Sequence, residues 1–154
     1  MSLALATQIA GVVGVLVAVF AFGKGLIEYR SQGLQRRAEH FVAMRRRFKE
    51  NAAFNNIREL LEIDSPDLQV VSFLEKIDFL GFFEEIALLM NSGLLRKEVV
   101  HYMVGYYAIR CWQSDHFWHG INRDGIYWSL FREFAKDMES MENSFQFDIQ
   151  KLRF

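Results

Sequence analysis

The chain has 154 residues, 51% of them hydrophobic and 15% aromatic, which excludes disorder and suffices for one domain with a small appendage. Its only cysteine is Cys111, which excludes an intrachain disulfide and a stapled secreted fold. The net charge of −1 conceals a segregation: residues 24–49 hold eight basic side chains against two acidic ones, and residues 50–154 hold ten against seventeen.

In chain order, Leu3 to Phe22 carry no charge. Twenty residues of helix rise ~30 Å, the thickness of a bilayer's hydrocarbon core. A backbone in lipid must satisfy its own hydrogen bonds, so an inserted segment is helical. A cleaved signal peptide wants a basic start and a small-residue cleavage site. Here Met1 to Gln8 hold no Lys or Arg, and the run ends in Phe20-Ala21-Phe22. The expectation is therefore a transmembrane helix over residues 1–23. Ala6, Ala10, Gly14 and Ala18 recur every four residues, a small-residue face on which a second transmembrane helix, self or other, can pack.

Residues 24–49 read as a basic juxtamembrane helix. Lys24, Arg30, Arg36, Arg37, Arg45, Arg46 and Arg47 form a collar that keeps its side of the span in the cytoplasm and meets anionic headgroups. The N-terminus is then outside and the rest cytoplasmic, as in a bacterial inner-membrane protein. The collar's place beside a span favours lipid over nucleic acid, and no base-stacking module adjoins it.

Residues 50–142 read as a cytoplasmic bundle of about four helices, with 143–154 as a tail and no alternation that predicts a sheet. A first helix covers Phe54 to Ile63. Asp64-Ser65-Pro66-Asp67 is a boundary with Pro at a first helical position. A helix over Phe73–Asn91 opens on a Ser72/Glu75 capping box and stops at Ser92-Gly93. The next runs from Lys97 to Trp118, and Asn122 to Gly125 make a turn. The last runs from Tyr127 to Met141 with Tyr127, Phe131, Phe134, Met138 and Met141 on its apolar face.

At 100° per residue Glu84 falls on the apolar face of its helix, among Phe73, Ile77, Leu80, Ala87 and Leu88. Arg110 falls on the face formed by Val99, Met103, Tyr106, Tyr107 and Phe117. Charges on apolar stripes are costly unless paired, so the expectation is a structural buried ion pair between Glu84 and Arg110. His116 and His119 stand at i, i+3, but the Glu-x-x-His of helical di-metal sites is missing. No phosphate loop, nucleophile elbow or cysteine pair is present. No catalytic, cofactor-binding or metal-ligating residue is therefore assigned, and Cys111 reads as a small buried hydrophobe.

Phe73 through Leu89, with Phe82-Phe83-Glu84-Glu85 at its centre, then Ser92-Gly93-Leu94-Leu95, Tyr106-Tyr107 through Arg110-Cys111-Trp112, and Tyr127-Trp128 with Phe131, resemble an uncharacterised bacterial family of small, often single-span proteins. The likeness covers about residues 45–140. It implies an all-helical cytoplasmic domain and no known activity, substrate or cofactor. Three functions are open at this point: an accessory subunit that docks a protein partner, a stress or phage-defence sensor with a ligand in an aromatic pocket around Tyr106, Tyr107, Trp112 and Trp118, and an enzyme using Glu84, His116 and His119.

Overall fold

The computed structural model describes residues 3–144; of the side chains ahead of residue 35 it describes those of residues 20–25, 28 and 33. The described residues are all helical, as the sequence predicts. They divide into two compact units, with the boundary between Glu39 and His40.

Helix α1 covers Leu3–Glu50 without a break, through Gly23, Gly25 and Gly33. Among the described residues no helix is long and apolar enough to cross a membrane. The expected span falls mostly on side chains outside the described residues, so the structure lends it no support. The side-chain surroundings of Ala6, Ala10, Gly14, Ala18 and Arg30 are likewise outside what is described.

The second unit starts at His40 rather than at residue 50, because the end of α1 supplies core. Phe41 and Phe48 are buried. Helix α2, Ala52–Glu62, opens on Asn51, whose Oδ1 accepts from the Phe54 amide at 3.2 Å. It buries Phe54, Ile57 and Leu61, spaced for one face. Ser65 then caps a 3-10 turn, Pro66–Gln69, with Pro at its start. Helix α3 is Phe73–Asn91, and Ser72 Oγ accepts from the Glu75 amide at 3.2 Å. It stops at Gly93, whose φ of +68° suits glycine, and the Leu94 amide closes back on the Leu89 carbonyl.

The helix expected over Lys97–Trp118 is instead segmented. Helix α4, Lys97–Val100, leads through a π turn, His101–Gly105, into α5, Tyr106–Gln113. Gly105 lies under the His101 ring: a Cβ there would stand 2.9 Å from His101 Cδ2 and 3.5 Å from Met138 Sδ. Ser114 breaks the chain again. Buried, it takes an extended ψ of 109°, accepts from the Phe117 amide to start α6, Asp115–Trp118, and donates to Asp64 Oδ1 at 2.5 Å. After a turn at Asn122–Gly125 and a 3-10 turn at Ile126–Trp128, helix α7 runs Ser129–Asn143 and buries Phe131, Phe134, Ala135 and Met138.

Helix α7 packs on α3 and α5, and α2 packs on α3 and α5. The core between them is aromatic. Phe48 stacks on Phe82 at 5.0 Å, Phe54 meets Phe79 edge-on at 5.2 Å, and Phe83 meets Phe79 at 5.1 Å and Phe131 at 5.5 Å. Such pairs add ~0.5–1.5 kcal/mol each beyond area burial. Phe73 (59% exposed), Leu88 and Tyr127, all expected on apolar faces, face solvent. Helix α3 is apolar nearly all round: Leu80 and Ala87 of the Glu84 stripe are buried as expected, but so are Phe79, Phe82, Phe83 and Ile86 outside it.

Candidate functional site

The expected ion pair is not formed: among the described residues, none of the ion pairs joins Glu84 to Arg110. Glu84 lies half-buried beside α3's buried centre, and the Phe131 amide in the first turn of α7 acts on its carboxylate. That helix has no cap from its own N-cap side chain, so its first turn is a place where a nearby carboxylate of α3 is electrostatically favoured. Burial raises the Glu84 pKa, and the amide opposes the rise. Arg110 lies over the Tyr106 ring at 5.3 Å. The π turn is the physical cause: five residues in one turn rotate everything downstream by roughly one residue, ~100°. Arg110 is thereby carried off the face that a regular helix from Lys97 would give it.

The collar divides between the two units. In the first, Lys24, Arg36 and Arg37 are exposed. In the second, Arg46 pairs with Glu50 at 3.8 Å. Arg47 pairs with Glu85 at 2.8 Å and lies 5.9 Å from the rings of Phe54 and Phe82. Arg45 borders an apolar cavity with Phe41, Phe82, Ile86 and Val104; at about 10 Å³ it has room for one water at most.

The charge that is deeply buried is Lys76, 2% exposed. Its ammonium donates to the His119 carbonyl at 3.3 Å and lies 5.8 Å from the Phe117 ring. Burial lowers its pKa, against a smaller opposing effect of Cys111. Cys111 is fully buried, and its thiol is pushed well above the usual range by desolvation. The thiolate is the reactive form, so this cysteine is a packing residue. His116 Nδ1 is bonded to Gln69 Nε2 at 2.8 Å, and His119 serves through its backbone. Glu84, His116 and His119 are therefore held in three separate contacts.

The expected aromatic pocket does not assemble either. Trp112 and Trp118 pack on each other at 5.6 Å and on Phe131. Tyr107 instead faces a groove of about 440 Å³ between α2 and α5, lined by Lys49, Asn55, Arg58, Glu59, Glu62 and Tyr107. This groove lies wholly within the second unit. Asn55, Arg58, Glu59 and Glu62 are spaced 3, 1 and 3, so they share a face of α2 beside its buried one. The Tyr107 hydroxyl donates to Glu62 Oε1 at 2.9 Å. Burial and Glu62 raise the Tyr107 pKa, and Arg58 opposes them. The Arg58 guanidinium lies over the rings of Phe48, at 4.8 Å, and Tyr107, at 5.4 Å, and donates from Nη2 to Asn55 Oδ1. Its Nε is buried with no hydrogen-bond partner among the described residues.

The signal for this groove in the sequence is the polar stripe of α2, which by itself reads as a solvated face; only the fold brings Tyr107 and Lys49 to it. Among the described residues no cluster of three or more His, Cys, Asp or Glu is placed to hold a metal ion. No family model matches the chain, and neither a curated protein nor a solved structure is similar to it.

Proposed function

We propose that the chain is a non-catalytic, single-pass membrane protein that serves as an interaction or accessory subunit of a larger membrane-associated assembly, with the bacterial family it resembles as its own. The observation that carries this reading is the charge pattern. An uncharged stretch from Leu3 to Phe22 is followed by the basic collar and then by an acidic body. The order sets a span, a cytoplasmic side and a soluble surface in sequence. The exposure of Lys24, Arg36 and Arg37 supports the collar's role at headgroups. The small-residue face of Ala6, Ala10, Gly14 and Ala18 gives a second transmembrane helix its seat.

Fractionation tests the anchor. The full chain, expressed in a bacterial host, is expected to stay with membranes through high salt and alkaline carbonate and to leave them in detergent. Val13→Lys with Val17→Lys is expected to move it to the soluble fraction. A wild-type chain freely soluble without detergent overturns the reading. The partner is tested on the small face: Ala10→Ile with Gly14→Ile is expected to deplete a stoichiometric membrane subunit that co-purifies in mild detergent. A second reading, a membrane-anchored sensor that binds a ligand in its helical body, is favoured by the groove at Tyr107.

A further inference from the structure

We infer that the groove lined by Lys49, Arg58, Glu59 and Glu62 binds a small zwitterion that joins a phosphate to a primary ammonium. The inference concerns the helical body alone and holds whether or not residues 3–22 lie in a bilayer.

Opposite charges share this groove without pairing. Elsewhere on this surface opposite charges join when they are near: Arg46 with Glu50, Arg47 with Glu85, Lys97 with Asp137. In the groove two cations and two carboxylates face one space, and among the described residues no ion pair includes any of the four. Arg58 and Glu62 stand at the i, i+4 spacing that favours a helical salt bridge, yet each is engaged elsewhere. Glu62 accepts from Tyr107, and Arg58 is held by two rings and Asn55.

Arg58 is thus a guanidinium already fixed in place, with Nε buried and unpartnered. A buried polar atom without a partner needs a reason, and a missing ion is one. A planar guanidinium engages phosphate through two parallel bonds, and an Nε with no other commitment is half of that fork. Arg58 itself lines the groove. Lys49 adds a second cation, which suits a phosphate's charge better than a carboxylate's. A bare phosphate is not the whole ligand, because Glu59 and Glu62 cancel the groove's charge. An ammonium tethered to the phosphate meets those carboxylates and turns a repulsion into a contact. The volume of about 440 Å³ is that of a small-molecule site.

Such a zwitterion exists free or as a lipid headgroup, and two arms separate the sources. In the first, O-phosphoethanolamine is titrated calorimetrically into the full chain in nonionic detergent, beside inorganic phosphate and ethanolamine. It is expected to bind about tenfold or more tightly than either half, since one charge-assisted hydrogen bond is worth about that factor. Arg58→Gln is expected to weaken it about tenfold. Glu59→Gln is expected to erase the preference over phosphate while phosphate still binds. If Arg58→Gln fails to fold, the exposed Lys49→Gln, with wild-type circular dichroism and melting, carries the same expectation.

In the second arm, vesicles of phosphatidylethanolamine are compared with vesicles of phosphatidylglycerol. A preference for the former that Lys49→Gln abolishes, with no response to the free compound, assigns the headgroup as the source. Equal binding of phosphoethanolamine and phosphate overturns the inference. So does a flat titration together with a vesicle preference that is absent or survives Lys49→Gln.

Discussion

Lys76→Met replaces the buried ammonium with an apolar group of nearly the same length. The stem keeps its packing, so the outcome isolates the charge. In favour of the ammonium stand one hydrogen bond to the His119 carbonyl at 3.3 Å, about 1.5–3 kcal/mol for a charged donor. The Phe117 ring at 5.8 Å adds about 0.5–2 kcal/mol. Against it stands the desolvation of a side chain only 2% exposed, several kcal/mol for an ion. The lowered pKa gives the sign: desolvation outweighs what the charged form gains. His119 is itself exposed, so its carbonyl can take water when the lysine goes.

Lys76→Met is therefore expected to stabilise the body by about 1–2 kcal/mol at neutral pH, a shift of several degrees in melting temperature. Its pH dependence is the sharper readout. Between the lowered folded value and the unfolded 10.5 the unfolded chain binds more protons, so wild-type stability rises with pH across that window. The cost is fully present below it. The methionine variant lacks this rise. Urea unfolding of the full chain in constant detergent, followed by the fluorescence of Trp112, Trp118 and Trp128, measures both. A loss above about 1 kcal/mol in the variant, with the alkaline rise intact, refutes the reasoning.

Glu84→Gln keeps the side chain's shape and removes a half-buried charge near the Phe131 amide, so it is expected to change stability by less than about 1 kcal/mol. It should also abolish a wild-type decline as pH rises from 4.5 through the raised folded value. Glu84→Leu is expected to lose only the carboxylate's favourable place at the start of α7, about 1 kcal/mol, where a stranded Arg110 would cost about 3–5 kcal/mol; denaturant curves distinguish the two. Gly105→Ala puts a Cβ 2.9 Å from His101 Cδ2 and is expected to cost about 1–3 kcal/mol, with a coupling to His101→Ala in a double-mutant cycle. Phe83→Ala opens the centre of the aromatic core and is expected to cost about 3–5 kcal/mol in thermal or urea unfolding.

What the sequence made legible was local. Ser72, Pro66 and Gly93 mark boundaries through caps and backbone preferences that involve a few neighbouring residues, and those boundaries stand where the spacing put them. The faces of α2 and α7 were legible for the same reason: their apolar residues occupy one stripe. Helix α3 offered no such stripe. Apolar side chains surround it, so periodicity could not say which side is innermost, and Lys76 went unnoticed on the buried side. The breaks inside Lys97–Trp118 depend on distant partners. Ser114 is held by Asp64, and Gly105 is packed against Met138. Neither partner is visible in a window of one helix. The groove was missed because a polar stripe on α2 has a sufficient reading as a wet face until Tyr107 is placed opposite it.

The π turn ties these departures together. One extra residue between His101 and Gly105 rotates α5 by ~100° relative to α4. Without it, Arg110 would turn toward the core with Met103 and Tyr106, where the sequence placed it. With it, Ala108 and Cys111 take the inward positions, Arg110 rests on Tyr106, and Tyr107 reaches Glu62 and Arg58. The same irregularity that dissolves the expected ion pair therefore builds one wall of the groove. A π turn is less favourable than the α-helix it interrupts, and such turns concentrate at functional sites. Here the identifiable gain is the orientation of Tyr107, since the core could be closed by a regular helix carrying the same apolar residues one position over. Stability at Gly105 and affinity in the groove are consequently two readings of one structural element, and a substitution that straightens the turn should move both.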